Sequence, residues 1–254
     1  MKNLEGAVSI KVGDRQIAGT VIPPNVSLEG FLFVHGWAGN QEQYLARARE
    51  LAALGCMSLT FDLYGHAATS GFLPTVTRQE NLADVLAAYD FLSALPNVNE
   101  NLIGLVGSSY GGYLSAIVTS LRPVRWLALR APALYRDELW DKPKQSLNRD
   151  ELMAYRRMAL EARGNRTLEA CSQFNGDVLI VESEHDEIIP ASATANYRTA
   201  FATARSVTVR VIEGADHALS DQQWQNAYTS LLTDSAKEVV VKARVPALEA
   251  RDQS

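Results

Sequence analysis

Short runs dominated by apolar residues alternate along this chain with stretches whose apolar residues recur at helical spacing. That alternation restricts the fold more than any other feature. Residues 30–34 (Gly-Phe-Leu-Phe-Val) and 57–61 (Met-Ser-Leu-Thr-Phe) are such runs, as are 102–106, 126–129, 178–181 and 207–212. A short run with no polar face suits a strand covered on both sides, as in a parallel sheet. Helical periods lie between them: Tyr44, Leu45, Ala48, Leu51 and Ala52 within 41–54, and Leu82, Val85, Leu86, Tyr89 and Leu92 within 78–92. Further helices are predicted over 110–120, 193–202 and 221–241, and Gly55 stands where the first helix would be capped.

The chain opens differently. Residues 7–12 and 16–22 read as two strands around a turn at Gly13-Asp14, and Pro23-Pro24-Asn25 ends the hairpin. Strands alternating with helices make βαβ units. The prediction is an α/β fold with a mostly parallel sheet of about eight strands, helices on both faces and antiparallel strands at the start. A chain of 254 residues is within reach of one α/β unit, so 1–254 is read as a single domain.

Residues 131–175 interrupt the alternation. The stretch exceeds the usual connection of roughly 2–6 residues and carries its own helical period around 152–160. It is read as a small cap insertion over the sheet. Its large side chains, Tyr135, Leu139, Trp140, Leu152, Met153, Tyr155 and Met158, are expected to wall a substrate pocket, since such pockets are mostly apolar. Residues 246–254 read as a polar tail.

Composition removes several classes of function. Acidic residues outnumber basic ones, 29 to 24, which leaves no surplus for neutralising phosphates and argues against a nucleic-acid binder. No apolar run approaches the roughly 20 residues of a membrane span. Cys56 and Cys171 form neither a disulfide framework nor a zinc signature. The N-terminus lacks the basic start and apolar middle of a secretory signal, so the expected location is cytoplasmic.

Gly107-Ser108-Ser109-Tyr110-Gly111 fits G-x-S-x-G between the strand 102–106 and the helix predicted from Tyr110. So sharp a strand-to-helix turn strains the central residue and leaves no room for side chains at the flanking positions. Ser109, not Ser108, is therefore the candidate nucleophile. A serine hydroxyl needs a base and a group to orient it. Of four histidines, His217 lies between the last strand and the last helix, at the sheet edge where Ser109 projects. After the strand 178–181 come four acids, Glu182, Glu184, Asp186 and Glu187, of which Asp186 sits at the loop apex before Pro190. The order along the chain is then Ser109, Asp186, His217.

With these motifs in this order, the chain resembles an α/β-hydrolase-fold serine hydrolase over about residues 17–236. The likeness takes in His35-Gly36, Asp62-Leu63-Tyr64-Gly65-His66, the Ser109 turn, the His185-Asp186 loop and Gly214 to His217. With no large cap, it looks most like dienelactone-hydrolase-like and acyl-peptidase-like esterases. Dienelactone hydrolases usually carry Cys where Ser109 stands, which argues against that reaction.

The resemblance implies catalytic Ser109, His217 and Asp186, with an oxyanion hole made by the backbone N–H groups of Trp37 and Tyr110. It implies supporting roles for His35 and His66, and chemistry that needs no cofactor and no metal. The expected reaction is hydrolysis of a small-molecule carboxylic ester through an acyl-enzyme. A thioesterase, a short-peptide or acyl-peptide hydrolase, and a non-catalytic ligand receptor on the same fold are the alternatives.

Overall fold

The computed structural model describes residues 6–22 and 29–251, with side chains through Arg244. The first residues of the chain, the proline pair at Pro23-Pro24 and the end of the predicted tail lie outside the described residues. Eight strands form one sheet: β1 (Gly6–Val12), β2 (Arg15–Ile22), β3 (Gly30–Val34), β4 (Met57–Phe61), β5 (Ile103–Ser108), β6 (Trp126–Arg130), β7 (Asp177–His185) and β8 (Ser206–Asp216). Their spatial order is β1-β2-β4-β3-β5-β6-β7-β8; β1 and β2 run antiparallel and β3 to β8 are parallel. This is the predicted α/β architecture, with the opening hairpin at one edge.

Why the central strands read as unbroken apolar runs is visible in their two faces. Successive side chains of a strand point to opposite sides. Phe31 and Phe33 of β3 enter one core with Val106, Trp126 and Ala128. Leu32 and Val34 enter the other with Leu105, Leu127 and Leu129. Both faces of β3 are covered and both sets are apolar, whereas in β4 Ser58 and Thr60 are buried among apolar neighbours. Strand β1 has a covered and an exposed side and alternates accordingly, ending with Ile10 and Val12 buried.

Helices α1 (Glu42–Ala53) and α7 (Gln222–Arg251) cover the first face with Tyr44, Leu51, Tyr228 and Leu232. The opposite face carries α2 (Arg78–Ser93) and α3 (Tyr110–Val118). Helix α2 starts at a capping box, in which Thr77 accepts from the Glu80 backbone N–H and Glu80 accepts from that of Thr77. The last helix runs past its predicted end at 241. A tertiary anchor helps to hold that extension: Arg244 donates through two nitrogens to Glu29, at 2.6 and 3.1 Å, and also to the carbonyls of Leu54 and Gly55.

Residues 131–175 hold α4 (Arg149–Arg156) and most of the turns that follow it, then α5 (Arg166–Gln173). Helix α5 was not anticipated from the sequence. Its N-terminus is defined by Asn165, whose side chain accepts from Thr167 and Leu168. The other amide end of Asn165 donates to the Tyr135 carbonyl and the Tyr155 hydroxyl. Buried Arg78 of α2 donates to the carbonyls of Arg136 and Glu138. The segment is thus pinned to α2, and its helix α5 packs on α3. Helix α6 (Ala191–Ala200) follows β7 and packs beside α5.

Candidate active site

Ser109 sits between β5 and α3 with φ of 51° and ψ of −115°. A non-glycine residue in the left-handed half of backbone space costs on the order of 1–3 kcal/mol and persists only where its surroundings impose it. Here the surroundings are two close backbone approaches. A Cβ on Gly107 would lie 2.6 Å from the Gly111 carbonyl oxygen, and one on Gly111 only 2.2 Å from that of Val34. The turn is further tied by Ser109 N–H donating to the Arg130 carbonyl at 2.8 Å.

Pairing of β7 with β8 places the other two residues. The register shifts between Ser183 and His185, an irregularity of the kind that re-aims a strand end. Beyond it His185 pairs with Asp216, so the next residues, Asp186 and His217, emerge side by side. His217 Nδ1 lies 2.7 Å from Asp186 Oδ2, and His217 Nε2 lies 3.1 Å from Ser109 Oγ. The carboxylate can only accept, so Nδ1 keeps its proton and donates a hydrogen bond to Asp186, and Nε2 is left to accept from the serine hydroxyl. The second oxygen of Asp186 accepts from Ile188 N–H and Ile189 N–H, which fixes the carboxylate plane.

The neighbouring acids are placed otherwise. Glu184 accepts from Gly214 N–H at 2.7 Å and so holds the start of the His217 loop, where Gly214 has φ of 69°. Glu187 is exposed, as is His185. Trp37 and Tyr110, named from the resemblance, flank the serine. Among the described residues neither backbone N–H makes a hydrogen bond, and Tyr110 opens helix α3, where N–H groups have no partner within the helix. The Trp37 and Tyr110 rings meet edge to face at 5.4 Å.

His35 and His66 support this loop from behind. His35 Nδ1 lies 2.7 Å from the Gly36 carbonyl oxygen, and His35 Nε2 accepts from Leu63 N–H at 3.0 Å. One nitrogen must donate and the other accept, which is possible only for the neutral ring. Burial, the largest cause, drives the His35 pKa down to about 3, and lowers that of His66 as well. An unfolded chain takes up this proton near pH 6.5, whereas the folded one refuses it until about pH 3. The unfolded state therefore binds more protons in that window, so stability falls as pH drops through it, by up to about 1.4 kcal/mol per pH unit for each such histidine. Urea unfolding at pH 7.5 and pH 5.5 should show this slope, and a His35→Gln variant a shallower one.

A cavity of about 350 Å³ opens beside Ser109 and His217. Its walls come from the Gly36–Gly39 loop, from α1 through Tyr44 and Arg47, from α7 through Gln225 and Tyr228, and from Arg130. This differs from the expectation that the 131–175 segment walls the pocket. None of Tyr135, Leu139, Trp140, Leu152, Met153, Tyr155 or Met158 lines it. Tyr135, Leu139, Leu152 and Tyr155 surround a separate space of about 70 Å³ beside Arg78. Trp140 packs on Tyr113, with the guanidinium of Arg166 4.4 Å from its ring centre. The segment was expected over the serine because it leaves the sheet at that edge. Its anchors on α2 and α3 draw it to the side instead. It reaches the site through Lys144, whose ammonium lies 3.8 Å from the centre of the Trp37 ring.

Both cysteines are buried away from this chemistry, and burial pushes the Cys56 thiol up to about 12 and raises that of Cys171 as well. Among the described residues no group of three or more His, Cys, Asp or Glu side chains is placed to hold a metal ion. No helix among them is long and apolar enough to cross a membrane.

Comparison with known proteins agrees with this architecture. Residues 31–228 match the alpha/beta hydrolase family, and the chain belongs to that family. The fold is similar to that of Est1E from Butyrivibrio proteoclasticus, solved with ferulic acid bound, with a TM-score of 0.72 at 18% identity over 92% of this chain and 100% of the other. A dienelactone hydrolase of Anabaena variabilis superposes with a TM-score of 0.65 at 17% identity, over 91% and 95% of the two chains. The acylaminoacyl peptidase of Pyrococcus horikoshii gives 0.68 at 15% identity, over 91% of this chain and 40% of the longer one.

Proposed function

We propose that this hydrolase-family protein is a serine esterase that cleaves small carboxylic esters through an acyl-enzyme. The observation that carries this reading is the hydrogen-bonded chain from Ser109 through His217 to Asp186, at 3.1 and 2.7 Å. In this reading Ser109 Oγ attacks the acyl carbon while His217 Nε2 takes its proton. The negative charge that grows on the carbonyl oxygen meets the free N–H groups of Trp37 and Tyr110. Donors aimed at charge that exists only in the transition state lower the barrier without tightening the ground state. The imidazolium, held by Asp186, then gives its proton to the departing alcohol. Water repeats the sequence in reverse, releasing the acid and restoring the serine.

The 131–175 segment acts in this reading as a small cap on a single domain, fastening the Trp37 loop through Lys144 rather than enclosing the cavity. The same machinery would serve thioesters and amides. A ligand receptor on this fold would need no reactive serine. Labelling with a fluorophosphonate probe, followed by release of nitrophenol from short-chain esters, tests the reading. An unlabelled, folded protein would refute it in favour of a receptor.

Asp186→Asn should lower kcat by roughly 10³–10⁴-fold, because an amide cannot hold the imidazole in the required tautomer or stabilise its cation. Glu184→Gln keeps an acceptor for Gly214 N–H and should cost less than about tenfold. Steady-state kinetics on one nitrophenyl ester checks both, and a larger loss in Glu184→Gln would reassign the acid.

A further inference from the structure

The cavity beside Ser109 carries positive charge that the described residues leave without a counter-ion. Arg47 of α1 and Arg130, the last residue of β6, both line it together with Ser109 and His217. The chain as a whole is acidic, with a net charge of −5, so this local surplus does not follow from composition. The guanidinium of Arg47 lies 4.7 Å from the centre of the Tyr228 ring. Its Nη1 donates to the Gln43 carbonyl at 2.9 Å, its Nη2 lies 3.5 Å from the Gln225 carbonyl, and its Nε is buried with no partner. Arg130 is 7% exposed. Its Nη2 donates to the His217 carbonyl and its Nη1 lies 3.4 Å from Ser183 Oγ. Among the described residues no carboxylate stands within ion-pair distance of either. Buried Arg78 and Arg156 are also bonded to carbonyls, but they face Tyr135 and do not line this cavity.

Two guanidinium groups turned to one small cavity repel each other, and the repulsion is larger where water is scarce. An anion between them removes that repulsion. The planar fork of an arginine matches a carboxylate, and such charge-assisted pairs are the stronger hydrogen bonds of proteins. An uncharged ester would leave both cations uncompensated, so the cavity discriminates by charge rather than by chain length.

We propose that this cavity is an anion subsite, and that the ester cleaved at Ser109 bears a carboxylate held by Arg47 and Arg130. The proposal rests on Ser109 being the nucleophile, and it names the substrate class of that site: monoesters of small dicarboxylic acids, or esters of carboxylated alcohols. Because Arg130 also bonds the His217 carbonyl, Arg47 is the residue to vary.

Two matched pairs of esters test it on the full chain. Nitrophenyl hemiglutarate against nitrophenyl valerate places the anion on the acyl half. Acetoxybenzoate against phenyl acetate places it on the leaving half. In the wild type, kcat/KM should favour the charged member of at least one pair. Arg47→Gln should lower that charged-to-neutral ratio at least about tenfold, the size of one lost charge-assisted hydrogen bond. Arg47→Lys should recover part of the ratio, and Lys237→Gln on the exposed face of α7 should leave it as in the wild type. A wild-type ratio of one or less for both pairs, or an equal ratio in Arg47→Gln, overturns the subsite.

Binding is read separately from turnover. Glutarate should raise the Tm of both the wild type and Ser109→Ala, and should do so less in Arg47→Gln. A glutarate shift in a protein that cleaves no ester would refute the esterase and keep the subsite. Ester cleavage without charge preference or glutarate shift would refute the subsite and keep the esterase.

Discussion

Ser109→Ala should abolish fluorophosphonate labelling and lower ester turnover by at least about 10³-fold, while the protein remains folded. The loss is large because the hydroxyl at this position has no substitute. Ser108 is adjacent in sequence, but it ends β5, pairs with Arg130 and is 3% exposed. Its side chain borders the same cavity, but it is Ser109 Oγ that the turn brings to 3.1 Å from His217 Nε2. Ser108→Ala should therefore still be labelled. Folding should survive Ser109→Ala because the strained backbone is imposed by Gly107, Gly111 and the Arg130 carbonyl rather than by the serine side chain. The experiment is labelling and initial-rate kinetics on both variants, with circular dichroism as the check on structure. Labelling that persists in Ser109→Ala, or is lost equally in both, would refute the assignment of the nucleophile.

Gly111→Ala should be the most destabilising single substitution at the elbow, by about 3 kcal/mol or more. The added methyl would lie 2.2 Å from the Val34 carbonyl oxygen and 2.5 Å from that of His35. Both obstacles are backbone, so no side chain can rotate away. Either α3 must lift from the end of β3 or the His35 loop must shift. The first opens the core and the second moves Trp37. Activity should fall with stability for that reason, even in the fraction that remains folded. Gly71→Ala is the comparison, since a methyl there meets nothing within 4 Å and φ is unexceptional, so it should be neutral within about 0.5 kcal/mol. Urea titration of both variants measures the difference. A Gly111→Ala protein as stable as Gly71→Ala would mean that the close approach is not a constraint.

Signals that depend on neighbours in the chain were readable without the fold. Residues 30–34 announce a doubly covered strand because each side of β3 faces an apolar core, and pleating places successive residues on opposite sides. The Ser109 turn is legible because its steric requirement falls on residues two positions away. The singling out of His217 and Asp186 needed one further idea, that the loops after successive parallel strands open at the same edge of the sheet. With it, the three side chains named from the sequence are those the fold brings within hydrogen-bond distance.

What the sequence determined by itself was the succession of strands and of the helices other than α5, the elbow and the residues that could carry chemistry, since each rests on local periodicity or local sterics. Tertiary structure decided everything that joins distant segments. It put Glu184 on the Gly214 backbone instead of on His217, through the pairing of β7 with β8. It moved the 131–175 segment off the serine, because Arg78 of α2 holds its carbonyls and α5 packs on α3. It also brought Arg47 and Arg130, on a helix and a strand far apart in sequence, to one cavity wall. No periodicity records such a meeting: an arginine on a helix looks like any solvated charge until the packing of α1 and α7 shows what it faces.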